Sequence, residues 1–335
     1  MSRRHDAHKS ARTPAVKRAT VFLPLVLAEC ATAPPARHTG ELPELADAAP
    51  SLPEMRTAWE QCRLIRVVGE QGIGIPVRAF GEEGRRLPVL MLHGLQSHSG
   101  WFVQSAAFIA SLGHPVYAID RRGSGLSAET RGDCRDFREM INDVRTVARH
   151  AMEKHHVERV HVMGHCFGAI PAAAFACAEP DMLASVILPT PGIFTKTDLT
   201  MGQKFRVAVD QLGRPTRYLS VPLETTDFTE LDRYQDFIAS DPMALRAATT
   251  SFYWNVARAR KYVTKHIGGI TCPVWMGISG QDPIVDNDTV RKWFDRLPAQ
   301  DKELVVFPGA RHILEFSPEK EAFFEEIRAW FQERD

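Results

Sequence analysis

From Arg63 to the C-terminus, apolar runs of strand length alternate with amphipathic stretches of helix length, and no other feature of the sequence restricts the fold as strongly. The runs are Arg63–Val68, Ile73–Phe80, Pro88–Leu92, Pro115–Ile119, Arg159–Met163, Ala184–Leu188, Pro273–Ile278 and Glu303–Phe307. The first two, with Gly72 near their turn, read as a leading β-hairpin. Most of the others are continuously apolar, as strands covered by helices on both faces must be. Between them, Phe137, Met140, Ile141, Val144, Val147, Ala148 and Ala151 recur at helical spacing. A last helix is expected to open with Ser317 as N-cap and Pro318 at its first position, burying Phe323, Phe324, Ile327, Trp330 and Phe331. Such alternation predicts the α/β class, a mostly parallel eight-stranded sheet flanked by helices and joined by right-handed crossovers.

Residues 193–270 interrupt the rhythm. They are too long for a crossover and read as an inserted helical cap or lid. Phe205, Tyr218, Phe228, Tyr234, Phe237, Phe252, Tyr253 and Trp254 make the insert aromatic, which suits a lipophilic acyl pocket. The chain thus divides into a core of 63–192 and 271–335 around a cap of 193–270.

Gly164-His165-Cys166-Phe167-Gly168 follows the Arg159–Met163 strand and precedes a small-residue helix, Pro171–Cys177. Strand, tight turn and helix are the context of a nucleophile elbow, here with Cys166 at its apex. The turn leaves no room for side chains at Gly164 and Gly168. The following helix directs its partial positive charge at the sulfur, which favours thiolate. Asp282 follows the Pro273–Ile278 strand and His312 follows the Glu303–Phe307 strand, so both lie at C-terminal strand ends. Asp286 and Asp288 are nearby acids better read as loop or helix-cap residues. The order nucleophile, acid, histidine is that of α/β-hydrolases. Backbone N–H groups of Leu95 and Phe167 are the candidate oxyanion-hole donors. His93 and Gly94 support the first loop, and Gly164, His165 and Gly168 support the elbow.

These motifs together resemble an α/β-hydrolase over about residues 63–335, and within that superfamily the monoacylglycerol lipase/lysophospholipase group, of serine aminopeptidase type. His93–Gly100 is similar to that group's HG-x-x-x-HSG loop, Asp120–Ser127 to its D-x-x-G-x-G-x-S turn, and Gly309–His312 to its G-x-x-H. Gly164–Gly168 matches G-H-S-x-G except that Cys166 stands where the group has Ser. The resemblance implies hydrolysis of an ester, or with a cysteine a thioester, of a lipophilic acyl group through Cys166, His312 and Asp282. Two other readings use the same residues: acyl transfer to an amine or alcohol, and ligand binding without turnover. No cofactor is expected, since neither a complete dinucleotide fingerprint nor metal-ligand spacing occurs.

The N-terminus has a different character. Six basic residues and one acid give residues 1–18 a net charge of +5, which the rest of the chain cancels to zero. A neutral whole gives no general attraction to nucleic acid. An apolar run, Ala19–Ala28, leads to Leu27-Ala28-Glu29-Cys30, similar to a bacterial lipoprotein box with Glu29 in place of a small residue. Residues 1–30 are therefore expected to be a signal-like leader with Cys30 a candidate lipidation site, and 31–62 a Pro/Ala-rich tether. Attachment to the cell envelope through this leader is the expected location, with the cytoplasm as alternative. Of the six cysteines (30, 62, 134, 166, 177 and 272), Cys62 and Cys134 would be a candidate disulfide in an exported protein.

Overall fold

The computed structural model describes residues 50–69, 72–213 and 215–334. The leader, Cys30 and most of the proposed tether lie outside the described residues. The strands are β1 (Arg63–Val68), β2 (Gly74–Phe80), β3 (Val89–Leu92), β4 (Val116–Ile119), β5 (Val160–Gly164), β6 (Leu183–Pro189), β7 (Tyr218–Ser220), β8 (Ala247–Thr249), β9 (Val274–Ser279) and β10 (Lys302–Phe307). The helices are α1 (Pro53–Trp59), α2 (Val103–Ser111), α3 (Phe137–His155), α4 (Ala169–Ala178), α5 (Met201–Asp210), α6 (Thr225–Phe228), α7 (Asp232–Ser240), α8 (Thr250–Lys265), α9 (Asn287–Asp295) and α10 (Lys320–Gln332).

Eight strands form one sheet in the order β1-β2-β4-β3-β5-β6-β9-β10. β2 pairs antiparallel with β1 and β4, and the remaining pairs are parallel. Alternate side chains of the central strands enter opposite layers. Leu90 and Leu92 of β3 join α3, α4, α8 and α9 in one cluster. Val89 and Met91 join α1, α2, α7 and α10 in the other. Both faces are covered, which is why these strands are apolar without alternation.

Local sequence explains the helix limits where it can. Asp136 caps α3 by accepting from Arg138 N at 3.0 Å, and the helix ends on His156 in the left-handed region (φ 53°). The expected start of the last helix is corrected: α10 begins at Lys320, and Glu319 is its flanking residue. Ser317 is already engaged, donating to Leu314 O at 2.9 Å and accepting from Glu319 N at 3.1 Å, so it closes the preceding turn.

Three further expectations are corrected. The tether of 31–62 does not extend to Cys62, because α1 folds against the sheet and buries Met55, Ala58 and Trp59. Trp59 is held there by the guanidinium of Arg78, 4.5 Å above its ring. The insert is not wholly helical, since β7 and β8 pair antiparallel within it. Three residues each are too few to show a period. Its last helix, α8, buries Phe252, Val256, Ala259 and Val263 in the same cluster as α4, so in packing terms the cap ends before residue 270. Cys62 and Cys134 are free and lie in opposite layers. Among the described residues no helix is long and apolar enough to cross a membrane.

Candidate active site

Strand register gathers the candidate residues. Leu92 of β3 pairs with Gly164 of β5, which sets the His93–Gly94–Leu95 loop beside Cys166. Phe307 of β10 pairs with Ser279 of β9, which sets the loops bearing Asp282 and His312 side by side.

Cys166 adopts φ 50°, a left-handed conformation costly for a residue with a Cβ. The neighbouring glycines make it attainable. A Cβ on Gly168 would lie 2.3 Å from Leu92 O, and one on Gly164 would lie 2.5 Å from Gly168 O. The turn is tied down by His165 N to Leu92 O (2.9 Å), Gly168 N to His165 O (2.7 Å) and Gly192 N to Cys166 O (2.8 Å). His165 stacks on Phe102 at 4.2 Å. Burial, and to a smaller extent His312, push its pKa down to about 3, so it is a neutral packing residue at physiological pH.

His312 Nδ1 donates to Asp282 Oδ2 at 2.8 Å, and both residues are buried. Asp282 Oδ1 accepts from Ile284 N (2.8 Å) and Val285 N (2.9 Å), which fixes the carboxylate. Asp286 instead caps α9 through Thr289 N at 3.1 Å. Burial disfavours charge on His312, but Asp282 and Cys166 outweigh it and hold the ring's pKa well above the ordinary imidazole value. His312 Nε2 is buried and has no partner in hydrogen-bond geometry, although the thiol is close enough to favour the protonated ring.

The first loop is braced from below. His93 is buried with its pKa pushed down to about 3, by burial first and Arg121 second. The neutral ring donates from Nδ1 to Gly94 O (2.8 Å) and accepts at Nε2 from Arg121 N (3.2 Å). A Cβ on Gly94 would lie 3.4 Å from Cys166 Cβ, so the loop packs directly on the elbow. Leu95 O accepts from Arg121 Nη2 at 2.6 Å, and the same guanidinium lies 5.1 Å over the Phe167 ring. Arg121 therefore ties together the residues that carry both candidate oxyanion donors.

The sequence reading missed this buttress and two others. Asp120 is fully buried, taking Arg78 Nη1 and Leu126 N on Oδ2 (2.9 and 2.8 Å) and Ser99 N on Oδ1 (2.8 Å). Asp241, at the end of α7, accepts from His98 Nε2 (3.0 Å) and Trp101 Nε1 (2.5 Å), joining the cap to the first loop. Asp120 and Arg121 stand in a recognisable turn motif. Arg78 and Asp241 carry no comparable local signal.

A cavity of about 450 Å³ opens at Cys166, lined mainly by apolar groups including Leu95, Phe167, Leu199, Val207, Val221 and Ile284. Of the eight aromatics noted in the insert, only Tyr253 and Trp254 line it. Phe228 sits beside His312 (ring centroids 6.0 Å), Tyr234 and Phe237 pack in the core, and Phe205 is 73% exposed. Among the described residues no group of three or more His, Cys, Asp or Glu could hold a metal.

Residues 84–319 match the family described as serine aminopeptidase, S33. The chain belongs to this family. It is 25% identical over 250 residues to a monoacylglycerol lipase of Mycolicibacterium smegmatis, covering 72% of this chain and 86% of that one. It is 25% identical over 250 residues to the human monoglyceride lipase, covering 73% and 82%. A monoglyceride lipase of Saccharomyces cerevisiae, solved with a substrate analogue, superposes with a TM-score of 0.70 at 20% identity, covering 82% of this chain and 96% of that one. The fold is that of α/β-hydrolases, as the motifs led one to expect.

Proposed function

We propose that this member of the family cleaves an ester or thioester of a lipophilic acyl group through a covalent acyl-enzyme on Cys166. The observation that carries the reading is the Asp282–His312 pair facing a strained Cys166 at the floor of an apolar cavity. The lipase names of the relatives support the ester class.

In the proposed cycle His312 Nε2 takes the Cys166 proton, for which its raised pKa makes it a ready acceptor. The thiolate forms a bond to the acyl carbonyl carbon. Leu95 and Phe167 N–H groups hold the oxyanion, each donor being worth about 3–4 kcal/mol when removed. Collapse breaks the bond to the leaving alcohol or thiol, which leaves with the proton from His312. Water then gives a proton to His312, attacks the thioester and releases the acid and the Cys166 thiol. Catalytic hydrogen bonds are often poorly aligned before substrate binds, and the His312 Nε2 contact with Cys166 is of that kind.

One observation favours acyl transfer as a second reading. A cysteine in the Ser position makes the intermediate a thioester, which amines attack readily. The two are separated by mass spectrometry of protein mixed with p-nitrophenyl esters or acyl thioesters, with and without an added amine. Hydrolysis predicts acyl mass on the peptide containing Cys166 and free acid as product. Amide formation far exceeding hydrolysis would replace the hydrolase reading by transfer. Acyl mass on no residue would sink both.

Asp282→Asn is expected to lower kcat by roughly 10³–10⁴-fold, because the ring loses both its orientation and its counter-charge. NMR titration should show the His312 pKa moving down. The folded-state value lies above the unfolded one, so the pair's contribution to stability is complete below about pH 6.5 and fades as pH rises through the folded value. Retention of kcat within tenfold would show that Asp282 does not orient the base.

A further inference from the structure

Three charged residues line the cavity, and two of them are satisfied. Asp198 Oδ2 pairs with Lys204 Nζ at 2.8 Å, and its Oδ1 takes Leu199 N at 2.7 Å. Arg260, on α8, is different. Only its Nη2 donates, at long distance, to Gly192 O (3.4 Å) and Thr195 Oγ1 (3.2 Å). Its Nε is buried and meets no acceptor, and among the described residues no carboxylate reaches ion-pair distance of it. A guanidinium has five donors and no way to shed its charge, so the buried Nε and the Nη1 group, which is not sealed off, are open to a ligand in a mainly apolar cavity. Asp198 acts on the guanidinium electrostatically without hydrogen bonding to it, so a ligand carboxylate at hydrogen-bond distance would use donors that Asp198 leaves open.

One residue bounds its distance from the elbow. Gly192 N donates to Cys166 O at 2.8 Å, while Gly192 O takes Arg260 Nη2 at 3.4 Å. Covalent geometry then puts the guanidinium within roughly 10 Å of the Cys166 backbone. An acyl chain of four to six carbons, attached at the sulfur, spans that order of distance.

We propose that Arg260 recognises a carboxylate on the acyl chain, so that the substrates are esters or thioesters of ω-carboxyacyl groups of about four to six carbons, held by the fork that guanidinium and carboxylate form. The assignment rests on the acyl-enzyme reading above for its chemistry, but the recognition itself does not require turnover.

The test is a ratio. The p-nitrophenyl ester of hexanoic acid and the mono-p-nitrophenyl ester of adipic acid have the same chain length and differ in methyl against carboxylate. The ratio of kcat/KM, adipyl over hexanoyl, is measured for wild type, Arg260→Gln and Arg260→Lys. Glutamine keeps a polar, uncharged group that ends about where Nε stands, and lysine keeps the charge without the fork. Arg260→Gln is expected to lower the ratio at least fivefold, with Arg260→Lys in between. A residue that only braces the 192–195 loop would change both esters alike, and a ratio altered less than fivefold overturns the assignment. If Arg260→Gln does not fold, Arg260→Lys decides by the direction of the ratio: a fall supports the fork, and an unchanged or higher value overturns it. If neither ester is cleaved, the hydrolase reading fails by itself. Calorimetry on Cys166→Ala, with and without Arg260→Gln, then compares monomethyl adipate with methyl hexanoate. Tighter binding of the adipate that is lost with Arg260→Gln supports the site, and equal binding overturns it.

Discussion

Cys166→Ala is expected to reduce turnover of every ester or thioester substrate by roughly 10⁴-fold or more, the scale seen when a nucleophile that acts as a unit with its base is removed. The loss should fall on kcat, since the cavity that binds the acyl group remains. The peptide that contains residue 166 should also lose its labelling by iodoacetamide, and among the described cysteines this readout is specific. Burial pushes Cys62 up to about 11, and Cys134, Cys177 and Cys272 up to about 12, so these thiols stay protonated and inert at neutral pH. Cys166→Ser places a hydroxyl nucleophile at the same elbow, as the resemblance to a G-H-S-x-G motif suggests. It should gain labelling by a serine-directed fluorophosphonate while keeping part of the hydrolytic activity. Full turnover by Cys166→Ala would mean that another residue attacks the substrate.

Asp120→Ala should destabilise the fold by about 3–5 kcal/mol, the usual cost of leaving a buried charge without its partner. The stranded charge is Arg78, 1% exposed in the middle of β2. The mutation also removes the acceptor for Ser99 N and Leu126 N, so the first loop and the Gly123–Ser127 turn lose their common anchor. Activity should fall along with stability, because the first loop carries Leu95. Burial by itself would raise the Asp120 pKa, but Arg78, His98, His93 and the Ser99 hydroxyl hold it well below the ordinary carboxylate range. A depressed folded-state value means that the contribution is present above about pH 4 and lost as pH falls toward the folded value. Urea denaturation of wild type and Asp120→Ala at pH 7 checks the magnitude, and repeating it in acid should show the difference shrinking. A loss below 1 kcal/mol at pH 7 would refute the anchoring role.

The elbow was legible because its signal is local. Gly164 and Gly168 are required by contacts within a few residues and by the adjoining strand, and the φ of Cys166 follows from them. The strands were legible because a strand covered on both faces is apolar throughout. Their ends moved by only a residue or two. Ser317 misled because the capping pattern is also a local turn pattern, and the hydroxyl had a nearer carbonyl to satisfy. The aromatics of the insert misled for another reason. Their type fits a lid and a core alike, and six of the eight do not line the cavity.

By itself the sequence determined the α/β class, the strand sequence along the chain, and the loops that carry Cys166, Asp282 and His312, because short-range sterics and one-residue hydropathy suffice for each. Which surfaces would meet was decided only by the tertiary structure. Arg78 and Asp120 are 42 residues apart, and His98 and Asp241 are 143 apart. The meeting of Asp282 with His312, 30 residues on, depended on the pairing of β9 with β10. The exposure of Arg260 to the cavity depended on α8 packing against α4. Burial of a polar group is a property of what covers it, and the covering residues are distant in sequence.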